Sequence, residues 1–222
     1  MELIKELPAL GRDLGPGLIL IGLTSLAAIL VGCLFEEWET LPWMATATVS
    51  LCGIGLLLRF LPKTSKVPRT STSIAATALV WVIVGLCGSL PFLFTGMSFL
   101  DAAFESMSAW TGTGFSIAED IEAWPKTLLF WRSFMQWVGG LGIVAFTLTV
   151  ATRSGLVTRG LYNSESGSQA FMPSVISTAF QMWKIYAVLT VAAVLAILLT
   201  GVGLWDAVNL ALCGIATGGM SI

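Results

Sequence analysis

Five apolar stretches in this chain are each long enough to cross a lipid bilayer as a helix. About 20 residues are needed, because a helix rises about 1.5 Å per residue and the hydrocarbon core is about 30 Å thick. Only 11% of the 222 residues are charged, against about 25% in an ordinary soluble domain. We therefore expect an all-α integral membrane protein. The predicted spans are Leu14–Phe35, Trp43–Phe60, Ile74–Phe94, Thr127–Ala151 and Thr178–Leu199.

Two further apolar stretches, Phe99–Trp110 and Trp205–Ile215, are too short to span and are predicted to be re-entrant or interfacial helices. Basic and acidic connections alternate between the spans. Because basic connections stay in the cytoplasm, we expect a cytoplasmic N-terminus and short helices that enter from the outside. The basic residues are Arg59, Lys63, Lys66, Arg69, Arg153 and Arg159, and the acidic ones are Glu36, Glu37, Glu39, Asp101, Glu105, Glu119, Asp120, Glu122 and Asp206.

An internal repeat at an offset of 105 residues relates the two short stretches. Each copy follows a predicted span, begins with an Asp that we expect to be the helix N-cap, and ends in a run rich in Thr and Gly. Two copies on the same side of the membrane indicate a repeated unit of helix, pore helix, filter loop and helix. The matching segments are Asp101-Ala102 with Asp206-Ala207, and Gly114-Phe115-Ser116-Ile117 with Gly219-Met220-Ser221-Ile222.

The glycine runs have the features that a carbonyl-lined cation filter requires. A dehydrated cation needs oxygens in place of its water, and backbone carbonyls turned to one axis supply them. Glycine permits the necessary backbone angles, and the negative end of a short helix favours a cation. The alternative is a pair of outer turns without an ion role, which two matched copies disfavour. The predicted ion-binding residues are Thr111, Gly112, Thr113, Gly114, Ala216, Thr217, Gly218 and Gly219, with structural support from Asp101, Glu105, Arg132 and Asp206.

Five segments follow one another in a specific order: Phe104–Gly114, Trp124–Ser133, Gln136–Gly142, Leu161–Ser166 and Ala216–Ser221. In these segments the chain resembles the Trk/Ktr/HKT superfamily of potassium transporters, and it is most similar to the bacterial and archaeal Trk membrane subunits. The resemblance covers about Ile74 to Ile222. The first two spans would correspond to the extra N-terminal hairpin of Trk-type members.

The resemblance implies four such units in one polypeptide around one pore. The critical filter glycines would be Gly114 and Gly219, and glycine rather than serine at the first position implies potassium rather than sodium. The implied potassium ligands are the backbone carbonyls of Thr113, Gly114, Gly218 and Gly219. The resemblance also implies a homodimer in the cell membrane and a cytoplasmic nucleotide-binding regulatory subunit.

The chain departs from the family by having two units, the second of which is truncated inside its filter loop. We expect the remaining half of the pore to come from a continuation of the polypeptide, or otherwise from another chain. The first run also reads Thr-Gly-Thr-Gly where the family more often has three threonines. The predicted organisation is an N-terminal hairpin with a basic loop (1–70), a first pore unit (71–152), a cytoplasmic connection (153–177) and an incomplete second pore unit (178–222).

Arg132 lies about 8 Å into the fourth predicted span, where a charge is costly unless it is paired. Glu105, one turn into the first short helix, is the predicted partner, and the alternative is that Arg132 extends outward to the interface.

Two further sets of small residues lie in the apolar segments. The glycines of the fourth span are predicted to allow close helix packing, with a hinge as the alternative. The cysteines have no paired spacing and are predicted to be small buried hydrophobes. The glycines are Gly139, Gly140 and Gly142, and the cysteines are Cys33, Cys52, Cys87 and Cys213.

The chain contains no histidine, which removes most zinc sites, serine triads and imidazole bases and argues against an enzyme. Neither the dinucleotide fingerprint nor the P-loop motif occurs, so we expect no cofactor on this chain. The sequence has no basic patch of the kind that would indicate nucleic-acid binding. Two alternatives stay open: a secondary transporter with a substrate site between broken helices, and a non-conducting membrane scaffold.

Overall fold

The computed structural model describes residues 14–61, 70–153 and 175–222, and throughout these ranges the regular elements are helices. The predicted all-α architecture is therefore confirmed. Seven helices of at least 12 residues are described, and two short 3₁₀ helices, Leu90–Thr95 and Ile121–Ala123, join them. The seven are α1 (Leu14–Leu34), α2 (Leu41–Arg59), α3 (Thr70–Ser89), α4 (Phe99–Thr111), α5 (Lys126–Arg153), α6 (Val175–Leu198) and α7 (Leu204–Ile215).

Four spans within the described residues are long and apolar enough to cross a membrane: Leu14–Leu34, Leu41–Arg59, Ala75–Thr95 and Phe180–Leu198. The fourth predicted span, Thr127–Ala151, corresponds to α5, whose 28 residues form about 42 Å of helix. The third span includes most of α3 and the 3₁₀ helix that follows it. The change from α-helix to the tighter 3₁₀ helix coincides with Pro91 at the start of the 3₁₀ helix, because proline has no N–H to continue the α-helical hydrogen bonds.

The N-terminal hairpin packs closely because glycines line the contact between α1 and α2. A Cβ on Gly55 would lie 2.8 Å from the Gly15 carbonyl, and a Cβ on Gly22 would lie 2.9 Å from Cys52 Sγ. Small residues of this kind let membrane helices approach each other. The hairpin in turn packs on the rest of the chain, since α1 contacts α5 and α2 contacts the first 3₁₀ helix.

The short helix α4 lies between α3 and α5, and α7 lies between α5 and α6. The core at the base of α4 is aromatic: Trp110 meets Trp131 edge-on at 5.9 Å between ring centroids, and Trp131 Nε1 donates to the Gly88 carbonyl at 3.0 Å. By contrast, no residue of the span Phe180–Leu198 is buried. Its apolar surface is compatible with a lipid environment or with further protein.

Several sequence predictions concern residues outside the described ranges. These residues are most of the cytoplasmic connection, the segment Leu161–Ser166, and the basic residues Lys63, Lys66, Arg69 and Arg159.

The cysteines only partly follow the prediction. All four are free thiols, and Cys87 and Cys213 are buried, but Cys52 is half-buried and Cys33 is exposed. The prediction that Cys33 is buried is therefore wrong. Its side chain is exposed on α1, and in a membrane helix an apolar side chain of this kind has no need to be covered by protein.

Candidate functional site

The two short helices begin with caps that differ from the predicted ones. Ser98 is the N-cap of α4: its Oγ accepts a hydrogen bond from the Asp101 N–H at 3.2 Å and donates to Asp101 Oδ2 at 2.7 Å. In α7 the N-cap is Gly203, and Asp206 lies in the first turn. The prediction that the aspartates are N-caps is therefore wrong. Each carboxylate lies three positions further along, where it still favours the positive end of the helix.

The backbone after each short helix has the same left-handed conformation at equivalent positions. Gly112 has a φ of 63° and Thr217, 105 residues later, has a φ of 52°. Two positions further, Gly114 has a φ of 84° and Gly219 a φ of 83°. The sequence repeat therefore corresponds to a repeat of backbone geometry. Below, the first loop is residues 112–118 and the second loop is residues 217–222.

The hydrogen bonds that close the two helices also repeat. In the first copy the Thr113 N–H donates to the Ser108 carbonyl at 3.0 Å, and in the second the Gly218 N–H donates to the Cys213 carbonyl at 2.9 Å. Such bonds satisfy the last carbonyls of a helix and turn the chain away from its axis. All eight predicted ion-binding residues lie at or just after these two helix ends.

Thr217 has a left-handed backbone, which its residue type does not predict. Threonine is β-branched, and a left-handed backbone costs such a residue of the order of 1–3 kcal/mol. The equivalent residue in the first loop is glycine, for which that conformation carries no such cost. The second loop therefore holds a strained backbone at a position where the first loop does not.

The two loops contact each other at Gly114 and Gly219. A Cβ on Gly114 would lie 2.7 Å from the Gly218 carbonyl oxygen, and a Cβ on Gly219 would lie 3.2 Å from the Gly114 Cα. A side chain at either position would force the loops apart, and the first position is the tighter of the two. The repeat thus brings two glycine loops side by side with only backbone between them.

Glu105 supports the first loop from within α4. Its carboxylate accepts hydrogen bonds from Ser116 Oγ at 2.9 Å, from the Ile117 N–H at 3.2 Å and from Arg132 Nε at 2.7 Å. The Glu105 side chain is fully buried, and that of Arg132 is 1% exposed. Buried charges of this kind require a partner and further hydrogen bonds. The predicted ion pair is present, and it connects α4, the first loop and α5.

The second loop is held by α5, through two side chains one turn apart. Arg132 Nη1 donates to the Ser221 carbonyl at 2.7 Å. Gln136, which is fully buried, donates from Nε2 to the Met220 carbonyl at 3.0 Å and accepts from the Met220 N–H at Oε1, also at 3.0 Å. The local sequence pattern alone does not indicate this role for Gln136. Its spacing of four residues from Arg132 places both on one face of the helix.

The two loops therefore have the same backbone conformation, but different side chains bind their carbonyls. The Phe115 carbonyl accepts a hydrogen bond from Ser108 Oγ at 2.6 Å. The equivalent Met220 carbonyl accepts from Gln136 instead, because Cys213 replaces the serine.

The glycines of α5 allow the loops and helices to approach. A Cβ on Gly139 would overlap the Trp110 carbonyl oxygen, and a Cβ on Gly140 would lie 3.0 Å from Tyr186 Oη and 3.4 Å from Ala216. The predicted packing role of these glycines is confirmed. Since Trp110 directly precedes the Thr-Gly run, α5 fixes the base of the first loop as well as the end of the second.

The chemistry available where the loops meet is that of the backbone. Each loop follows the C-terminal end of a short helix, whose last carbonyls carry partial negative charge. The buried carboxylate of Glu105 is paired with Arg132 and leaves no net charge there. Carbonyl dipoles arranged in this way can favour a cation.

A family model described as "TrkH: Cation transport protein" matches residues 44–222. That match begins within α2, earlier than the resemblance read from the sequence. A cation transporter of Methanocaldococcus jannaschii is 38% identical over 98% of this chain and 46% of its own length. The Trk system potassium uptake protein TrkH of Halomonas elongata is 34% identical over 95% of this chain and 45% of its own.

The crystal structure of the potassium transporter TrkH from Vibrio parahaemolyticus has a similar fold. The TM-score is 0.80 at 30% sequence identity, and the match covers 96% of this chain and 44% of that chain. The chain therefore spans less than half the length of the relatives it matches.

Proposed function

Because the chain belongs to the TrkH family of cation transport proteins, we propose that it forms part of a potassium-uptake pore in which residues 111–114 and 216–219 supply backbone carbonyls as ion ligands. The carbonyls of Thr113, Gly114, Gly218 and Gly219 are the proposed ligands. The observation that carries the proposal is the pair of loops with matched positive φ values, which meet at Gly114 and Gly219.

The supports around the loops fit this role. A filter discriminates between ions only if its carbonyls are held in place, and here buried side chains bind the backbone of both loops. Glu105, Arg132 and Gln136 provide these contacts. Asp101 and Asp206 lie at the positive ends of the two short helices, where they complement the helix dipole and help to fix the direction of each helix.

The assembly that this function requires extends beyond the chain. Two loops form half of a ring of four, so a continuation of the polypeptide or another chain would supply the other half. We further propose a homodimer in the cell membrane, with the N-terminus in the cytoplasm and a cytoplasmic nucleotide-binding regulatory subunit. In this organisation residues 1–70 form the hairpin, 71–152 and 178–222 the pore units, and 153–177 the cytoplasmic connection. Potassium is then the transported ligand, and no cofactor is bound by the chain.

The test is substitution of the two contacting glycines, in cells that lack their own potassium uptake. Gly114→Ser should lower potassium uptake and its preference over sodium by at least about tenfold, because a Cβ there meets the neighbouring loop at 2.7 Å. Gly219→Ser should have a smaller effect, because its nearest contact is 3.2 Å. Gly53→Ser is the control, since a Cβ at Gly53 meets nothing within 4 Å.

Unchanged uptake and ion preference in both loop variants, with normal amounts in the membrane, would defeat the filter assignment. That result would favour a membrane scaffold or a transporter whose substrate site lies elsewhere.

A further inference from the structure

The turn of the N-terminal hairpin, residues 35–40, binds the backbone at the start of α5 through the carboxylate of Glu37. Glu37 Oε1 accepts a hydrogen bond from the Lys126 N–H at 2.8 Å. Its Oε2 accepts from the Thr127 N–H at 2.8 Å and from Thr127 Oγ1 at 2.6 Å. Lys126 and Thr127 are the first two residues of α5. Glu37 therefore caps a helix that begins about 90 residues later in the chain.

The hydrogen bonds that Glu37 accepts at this helix end are strong for a single side chain. The first N–H groups of a helix have no partners within it, and they carry the positive end of the helix dipole. A carboxylate satisfies two of them with charge-assisted bonds, which are about twice as strong as neutral ones. The contact is close, because a Cβ on Gly32 would lie 2.8 Å from Thr127 Oγ1.

A second contact from the same turn reaches the second short helix. Phe35 meets Trp205 edge-on at 4.9 Å between ring centroids. Lys126 Nζ lies 4.0 Å from the centroid of the Phe35 ring and 5.6 Å from that of Trp205. Trp205 is in the first turn of α7. One turn of the hairpin therefore contacts the first residues of both α5 and α7.

Helix α5 connects this turn to the loops. Arg132 lies six positions after Lys126, about 9 Å along the helix, and Gln136 lies one turn further. These two residues hold the Ser221 and Met220 backbone of the second loop. A shift of the first turn of α5 would therefore move the groups that hold the second loop against the first.

We infer that Glu37 is a positioning residue for ion selection: it fixes the start of α5, and through Arg132 and Gln136 it sets the spacing of the two glycine loops. This gives the N-terminal hairpin a function as an external clamp on the pore. The inference rests on the proposed function, since it assigns Glu37 to the same site.

Glu37→Gln is the sharpest test, because the amide keeps the shape but replaces one acceptor oxygen with a donor that faces a backbone N–H. We expect the protein to reach the membrane and the preference for potassium over sodium to fall about tenfold. Glu37→Asp should retain part of the preference for potassium, because it keeps both carboxylate oxygens as acceptors. Glu39→Gln removes the same charge from an exposed position of the same turn, and should behave as the wild type.

A double mutant tests the route through α5. If Glu37 acts by way of Arg132, the effects of Glu37→Gln and Arg132→Lys on ion preference should be non-additive, although the two residues do not contact each other. Additive effects would overturn this route.

Two further results would overturn the inference as a whole. One is wild-type ion preference in Glu37→Gln at normal abundance. The other applies if that variant is absent from the membrane. Thr127→Val is then the test, because it removes only the Oγ1 hydrogen bond to Glu37 at nearly constant shape. An unchanged ion preference in Thr127→Val would reject the role of Glu37. A normal Glu37→Gln beside a defective Gly114→Ser would leave the filter proposal intact, whereas a normal Gly114→Ser would remove the filter itself.

Discussion

Arg132 and Glu105 form a buried ion pair, with 2.7 Å between Arg132 Nε and Glu105 Oε1, in which each partner also holds the backbone of a different loop. Glu105 binds the Ile117 N–H of the first loop, and Arg132 binds the Ser221 carbonyl of the second. The pair therefore links the two loops through side chains, at a place separate from the direct contact between their glycines.

Replacing Arg132 with lysine separates charge from geometry. Lysine keeps a positive charge beside Glu105 but lacks the planar guanidinium that reaches both Glu105 and the Ser221 carbonyl. We expect Arg132→Lys to keep the protein in the membrane and to weaken its potassium preference by about tenfold. Competition of sodium with potassium uptake measures this effect.

Replacing Arg132 with alanine leaves Glu105 buried without a charged partner. We expect this variant to lose about 3–5 kcal/mol of stability, measured as a lower unfolding temperature in detergent. Wild-type stability and uptake in Arg132→Ala would contradict the importance of the pair.

Gln136→Glu tests the support of the second loop with almost no change in volume. The carboxylate still accepts from the Met220 N–H, but it cannot donate to the Met220 carbonyl, and it places a charge in a fully buried site. We expect a loss of about 1–3 kcal/mol in stability and a clear reduction of potassium uptake. Gln181→Glu, at an exposed position of α6, is the matched control. Equal behaviour of the two variants would show that the Met220 contact is dispensable.

Gly139→Ala tests the close approach of α5 to the base of the first loop. The added methyl overlaps the Trp110 carbonyl oxygen, so the helix or the loop must move, at a cost of about 1–3 kcal/mol. Uptake should fall together with the unfolding temperature. Gly53→Ala in α2 meets nothing within 4 Å and should stabilise the protein by up to about 1 kcal/mol. A similar response to both substitutions would contradict the predicted overlap.

Thr217→Gly tests the strained residue of the second loop. Glycine adopts the left-handed backbone without the cost that threonine carries, and the first loop already has glycine at the equivalent position. We expect uptake to be retained and stability to be unchanged or higher by up to about 2 kcal/mol. Loss of ion preference in this variant would mean that the Thr217 side chain, and not only its backbone, contributes to selection.

The sequence predicts the features of this chain that depend on local composition and spacing. Stretches of about 20 apolar residues correspond to spans, and the 105-residue offset corresponds to a repeat of backbone angles at Gly114 and Gly219. The Glu105–Arg132 pair was also predictable, because a charge at that depth of a span requires a partner.

Contacts between distant segments were not predictable in the same way. Glu37 is one of three glutamates in a short connection, and nothing in their spacing shows which one reaches α5. The conformation of Thr217 is imposed by its surroundings against its own preference. The N-cap of α4, in contrast, has a local signal in the sequence: Ser98 stands three positions before Asp101, which is the spacing of a capping box.

The side chains that bind the backbone of the two loops and of the start of α5 all precede that backbone in the chain. Glu37 binds residues 126 and 127, Glu105 binds residue 117, Gln136 binds residue 220 and Arg132 binds residue 221. Synthesis runs in the same direction, and earlier segments fold first. When the second loop leaves the ribosome, the groups that receive it have therefore already been made.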